Sequence, residues 1–383
     1  MKRIGLVLAL AVGALAAGPG HALAATIEVD DNKAECKKAP FTSIQAAVTA
    51  ASPGDSIKVC PGTYTEQVRI TKDGIKLESR NPLAAIIKAP PVMSDPKAIV
   101  EINGATDVTV RDFTITGPGG GPCDSLRYGV LVGGPANDPT SAEIRHNHIT
   151  RITDSPPGGC QNGNAVQVGR QFTSLVGTAD VVDNTIDAYQ KTGAAVDGPG
   201  SSANVRNNTI VGLGAVSFIA QNGVQVSRSA VGNVDHNTIT DNLYSPQTFA
   251  SAGVLLFGAD PRTDVEHNTV RRTDEGFYLT GQNGGTVSHN ESTNNTFDGY
   301  GLTDGTTNMT VDHNVGDSNG FDGVYAGFDT SENTIAQNHL ANNAEHDCHD
   351  DSTGLHPPGV ANIWFNNKGV TENKPGLCKG DKP

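Results

Sequence analysis

The chain has 383 residues, with 41 acidic against 27 basic side chains and a formal net charge of −14. That surplus argues against nucleic acid, whose binding rests on neutralising phosphates with Lys and Arg, and against anionic membrane surfaces. It would also repel an acidic polysaccharide unless a divalent cation such as Ca2+ bridged the two. Lys2 and Arg3 precede a short apolar run over residues 4–17, and Ala22-Leu23-Ala24 has the small-x-small form of a signal cleavage site. Residues 1–24 are therefore expected to be an export signal. The remaining chain is expected to be secreted, to the cell envelope or beyond, with no membrane insertion after signal removal.

Residues 25–80 read as an opening cap with the first strands. TIEV is a strand, and SIQAAVTAA is a short amphipathic helix with Ile44, Ala47, Val48 and Ala51 on one face. SIKVC, GTYTEQVRI and IKLES then alternate with period two. Residues 81–127 are less regular and hold AIVEI, VTVRDFTI and a GPGGGPC loop.

From residue 128 a phrase recurs: IRHNHI, VVDNTI, VRNNTI, VDHNTI, VEHNTV and IAQNHL, with looser copies VSHNES, VDHNVG and IWFNNK. The central asparagines are Asn147, Asn184, Asn208, Asn237, Asn268, Asn290, Asn314, Asn338 and Asn366, 22 to 37 residues apart. Such a period marks a solenoid, propeller or array. The unit is too short for propeller blades and lacks the leucine-rich signature. A second phrase precedes most copies: YGVLV, NAVQV, GAAVD, NGVQV, AGVLL, EGFYL, DGYGL and DGVYA. Each unit thus reads as two strands with a turn between them. The asparagines are expected to take the left-handed bend and to stack their amides from rung to rung. Longer insertions fall at SPPGGCQNG, TSLVGTA and NLYSPQTFAS. The repeats are expected over 81–342. Residues 343–383, with HDCHDDSTGLHPP, one last ANIWFNN rung and a Lys-, Pro- and Gly-rich tail, read as the C-terminal cap.

The six cysteines suit disulfides in an exported chain. Cys36 and Cys60 lie near the N-terminal end. Cys123 and Cys160 precede YGVLV and NAVQV by nearly the same offset, so stacked rungs would bring them together. Cys348 and Cys378 would close the C-terminal segment.

With these phrases in view, the chain resembles the secreted right-handed parallel β-helix proteins of the pectin-lyase-like superfamily. FTSIQAAVTAASPGDSIKVCPGTYTEQVRI is similar to the opening of many members, pectinesterases included. The resemblance implies an all-β fold: one right-handed parallel β-helix, a solenoid, with a short N-terminal capping helix. The superfamily holds polysaccharide lyases, glycoside hydrolases, pectinesterases, uronate epimerases and binding proteins. The ordered catalytic phrases of pectinesterases, polygalacturonases and alginate epimerases are not present here, so the positions are read singly.

Aligning the second phrase puts Glu275, Asp298 and Asp322 in one column on three successive rungs. Carboxylates at that spacing suit acid and base, or acid and nucleophile, in glycoside cleavage, and could alternatively hold Ca2+. Asp-Gly and Glu-Gly pairs are also turn chemistry. Tyr278 and Tyr325 point outward beside them, with Gly301 between, and Asp304 and Asp329 follow; these four are the candidate sugar contacts. His236, His267, His289 and His313 precede the ladder asparagines on consecutive rungs, as His146 does earlier. They read as a stacked ladder or, on the alternative reading, as a row of metal ligands; some relatives are labelled periplasmic copper-binding proteins. Arg170, Arg228, Arg271 and Arg272 are scattered cations able to meet a uronate. The expectation is an exported, monomeric, carbohydrate-active protein that cleaves a polysaccharide as a lyase or glycoside hydrolase. The alternatives are a non-catalytic glycan- or surface-binding module and a copper-binding one.

Overall fold

The computed structural model describes residues 24–379; the expected export signal, up to residue 23, lies outside them. The strands form three long parallel sheets of 13, 11 and 11 strands, plus a small two-stranded antiparallel pair. Each turn of the coil therefore contributes three strands, one per sheet, and not the two expected. The first sheet runs from Thr26–Val29 to Ile363–Phe365, the second from Gly62–Thr65 to His339–Ala341, and the third from Val68–Ile70 to Cys348–Asp350. Pairing is parallel and in register, as in Ile144 beside Val181 and Val181 beside Val205. Inward aliphatics stack into one continuous core.

The extra strand was hidden because the first and second sheets meet at a two-residue corner. There the structure corrects the expected chemistry. The left-handed residue is the one before the asparagine: His146, His236, His267, His289 and His313 have φ between 53° and 55°. The asparagine itself is buried and accepts and donates along the axis. Asn268 receives the Asn237 backbone N–H at 2.9 Å, while its amide donates to the Val234 carbonyl and to Asn290 Oδ1. In the last rung Asn366 takes the left-handed position and Asn367 continues the ladder, accepting from Asn338 at 3.0 Å. A second ladder, Asn295–Asn319–Asn343, runs up the chain leading from the second sheet to the third.

The helix, Ile44–Ala50, lies over the first turn with Ile44, Ala47 and Val48 buried. Ser43 caps it, and the Glu66 carboxylate accepts the Ile44 and Gln45 N–H groups, which suits the positive end of a helix. Disulfides join Cys36–Cys60, Cys123–Cys160 and Cys348–Cys378. Within 343–383, Cys348–Asp350 adds a strand beside Val324–Ala326 in the third sheet and Ile363–Phe365 one beside Thr334–Ala336 in the first. Among the described residues no helix is long and apolar enough to cross a membrane.

Candidate functional site

The insertions decide which face is recessed. SPPGGCQNG and NLYSPQTFAS lie before third-sheet strands, and TSLVGTA follows one, so they flank the outward face of that sheet. The Cys123–Cys160 bond ties SPPGGCQNG to the GPGGGPC loop. Two outward columns line the floor. The first is Asn164, Thr192, Asn222, Ala252 and Glu275. Backbone bonds from Gly276 to Asp298, Gly299 to Asp322 and Gly323 to His346 extend it. The second is Gln167, Ala195, Gln225, Leu255, Tyr278, Gly301, Tyr325 and His349.

Glu275, Asp298 and Asp322 thus stand on adjacent rungs, about 4.8 Å apart. The glycines after them are not turn glycines. A Cβ on Gly276 or Gly299 would come within 2.5 or 2.6 Å of the carbonyl on the next rung. Close stacking demands glycine there, while one oxygen each of Asp298 and Asp322 accepts a backbone N–H from the following rung. Gly301 makes room above the pair: a Cβ at that position would lie 3.3 Å from Glu275 Oε2 and 3.7 Å from Asp298 Oδ2. Glu275 Oε2 is buried and has no hydrogen-bond partner among the described residues. Burial, and then the charge of Asp298, hold the Glu275 carboxyl well above the usual range. Burial and the charge of Asp322 push Asp298 up to about 7.

Asp322 is tied differently. Its carboxylate accepts the His346 backbone N–H at 2.9 Å and meets His349 Nδ1 at 2.8 Å, and its own N–H donates to Asp298 Oδ1 at 2.9 Å. Burial alone would lower the His349 imidazole. The hydrogen bond and charge of Asp322, with Asp351 on the other ring nitrogen at 3.0 Å, outweigh it and raise the group to about 9. His349 is therefore a cation locked between two carboxylates. A cavity of about 410 Å³ opens over Glu275, Asp298, Asp322, Tyr325 and His349. Phe297 and the exposed Phe321 stack at its side with centroids 5.1 Å apart.

Of the expected sugar contacts, Tyr325 lines this cavity, and Tyr278 projects from the same column next to it. Asp304 and Asp329 lie past the strand ends; Asp304 is left-handed and accepts the Thr280 hydroxyl. His349 and Asp351 fall in a ligand-dense segment read as the C-terminal cap, and the Phe297–Phe321 pair was not singled out. The register pointed to them all the same: Tyr325 pairs with His349, and Phe-Asp-Gly occurs at both 297–299 and 321–323.

The histidine column stacks face to face. His236, His267, His289 and His313 have ring centroids 4.8 to 5.3 Å apart and planes within 18°. Lone pairs of parallel rings point in parallel, whereas a metal ion needs them to converge. Asp235 Oδ1 does gather two of these rings, with His236 Nδ1 at 2.5 Å and His267 Nδ1 at 3.6 Å, and like Asp322, His346 and His349 the three have ligand atoms within 4.8 Å of one another. In the Asp322 cluster both carboxylate oxygens are engaged by N–H groups, while the buried His346 Nδ1, 3.4 Å from Asp322 Oδ1, has no hydrogen-bond partner among the described residues.

A family model described as "Right handed beta helix region" matches residues 92–340 and 222–378. No curated protein sequence matches the chain. Among solved structures it is similar to a GH136 lacto-N-biosidase from Eubacterium ramulus, with a TM-score of 0.59 and 12% identity over 83% of this chain. The match spans 64% of that enzyme's length. It is also similar to XylC in complex with xylose, with a TM-score of 0.52 and 13% identity, covering 82% of this chain and 69% of the other. At these identities the likeness is one of fold.

Proposed function

The chain belongs to the right-handed β-helix family, and on that scaffold we propose that it is an exported glycoside hydrolase acting on a polysaccharide. The observation that carries this reading is the pair of carboxyl oxygens, Glu275 Oε2 and Asp298 Oδ2, facing the gap left by Gly301. Carboxyl groups roughly 5 Å apart belong to the retaining class, in which one is acid and the other nucleophile. Glu275, whose carboxyl is held well above the usual range by burial and by Asp298, keeps its proton and gives it to the leaving sugar oxygen. Asp298 attacks the anomeric carbon, and water then releases the sugar while Glu275 takes back a proton. Asp322 and His349 position Asp298 through the Asp322 N–H. The Phe297–Phe321 stack and Tyr325 offer flat surfaces to sugar rings. The three disulfides suit an oxidising compartment, and the similarity to two carbohydrate-related structures supports the substrate class. A lyase reading is less well supported, because among the described residues no Lys or Arg lines the cavity over these acids to neutralise a uronate.

The test is reducing-sugar release from plant, algal and microbial glycans by the wild type, Glu275→Gln and Asp298→Asn. Activity should rise as the pH passes about 7, where Asp298 ionises, and either substitution should cost about 10² to 10⁴-fold. No cleavage of any glycan, or equal cleavage by the variants, would sink the hydrolase. The exposed Phe321 platform favours one second reading, a non-catalytic binding module. Glycan that is retained in pull-down but never cut would select it.

A further inference from the structure

The recessed face holds a second cavity, of about 440 Å³, that the proposed chemistry does not use. It is centred on the Thr192–Asp197 strand, four rungs before Asp298 and so about 19 Å along the axis. Its chemistry is the reverse of the acidic end. In a protein of net charge −14, Arg170, Lys191 and Arg228 gather around it against one acid, Asp197.

The floor is built as a dent. Gln167, Ala195 and Gln225 share one column, so the small Ala195 lies between two long amides. Asn164 and Asn222 flank it in the neighbouring column and donate to Gln167 Oε1 and Gln225 Oε1 at 2.7 and 3.1 Å. Asn164 is only 6% exposed, and its Oδ1 has no hydrogen-bond partner among the described residues. A buried orphan acceptor is costly unless something donates to it, and a sugar hydroxyl would.

The cations are placed, not merely nearby. Arg228 donates to Asp197 Oδ1 at 2.8 Å and lies over the rings of Phe172 and Phe257, at 4.7 and 5.4 Å. Arg170 lies over Tyr128 at 5.7 Å. Lys191 gives one N–H to the Ala220 carbonyl at 2.7 Å, and its burial pulls the amine down to about 8. An ammonium has three donors, so two remain for a ligand. Phe172, beneath Arg228, is still 72% exposed and offers an apolar plate at the rim.

We propose that this pocket is a second recognition site, one that holds a sugar bearing an anionic substituent, either a carboxylate or a sulfate. The amides and Asn164 read the ring hydroxyls, and Arg170, Lys191 and Arg228 read the anion. Taken with the hydrolase reading, on which only this span rests, the bond to be cut lies several sugar rings from the anionic residue. The acidic end itself would repel an anion and so would take a neutral stretch of the same chain.

The experiment uses the full chain carrying Glu275→Gln and Asp298→Asn, so that the presence or absence of cleavage does not enter the readout. Calorimetry compares galacturonate hexasaccharide with its methyl ester, and carrageenan hexasaccharide with its desulfated form. One anionic member should bind at least tenfold more tightly than its neutral counterpart, and the sulfated and carboxylated arms say which anion is read. Adding Arg170→Ala with Lys191→Met should remove that preference. Gln225→Ala, which disturbs no ion pair, should weaken anionic and neutral members alike. Equal binding within both pairs, no binding in either, or an anionic preference that survives Arg170→Ala with Lys191→Met would overturn the proposal.

Discussion

Asp298→Asn separates a carboxyl kept for chemistry from one kept for structure. The native group is moved from 3.8 to about 7, chiefly by burial and then by Asp322. Below 3.8 both folded and unfolded chains hold the proton, and there is no cost. Between 3.8 and about 7 the unfolded chain releases it while the folded chain keeps it, so stability falls as pH rises. Above 7 the full cost is present, up to about 4 kcal/mol. The asparagine variant carries no such cost, and its Oδ1 can still accept the Asp322 N–H. It should therefore be more stable than wild type, by a margin that is small at pH 4 and largest at pH 8. Thermal and urea melts at the two pH values measure this, alongside the loss of glycan cleavage. Stability gained while function is lost marks a site under functional strain. A wild type as stable as the variant at pH 8 would refute the reasoning and return Asp298 to a structural role.

Gly301→Val should fold normally, since no carbonyl crowds that position, but it should fill the space above both carboxyls and lower activity at least a hundredfold; unchanged kcat/KM would remove Gly301 from the site. Asn268→Ala should cost about 2–4 kcal/mol, because it orphans the buried Val234 carbonyl and the Asn237 N–H together; a loss under half a kcal/mol in urea melts would show the ladder to be ornamental. For the stacked imidazoles, any Cu2+-induced thermal shift should be the same in wild type and in His267→Ala with His289→Ala, since the rings stack in parallel and the Asp235 oxygen shared by His236 and His267 is already paired with His236 Nδ1. A saturable shift lost in that double variant would restore the metal reading.

The columns were legible because parallel, in-register pairing turns equal sequence offsets into neighbours. Glu275, Asp298 and Asp322 could be aligned from the glycine that follows each, even though the reason for that glycine, a close carbonyl on the next rung, is a packing fact. The left-handed corner was misassigned by one residue, because Asn is the familiar occupant of that region. Here the amide is worth more inside, and the residue before it, whether histidine, aspartate, glutamine or another asparagine, takes the bend. His349 was hidden in a segment that looks like an ending, HDCHDD, although continuing the Tyr325 column by one rung reaches it. The charge contrast between the two ends of the face was invisible to composition, because Arg170, Lys191 and Arg228 come from three separate rungs.

The central claim is tested most directly by a crystal structure of the Glu275→Gln variant with an uncut oligosaccharide identified by the cleavage screen. A glycosidic oxygen within hydrogen-bonding distance of the substituted side chain at position 275, with the anomeric carbon facing Asp298 above Gly301, is the expected result. A sugar chain bound on another face, or one that crosses this face with no glycosidic bond near either side chain, would contradict it.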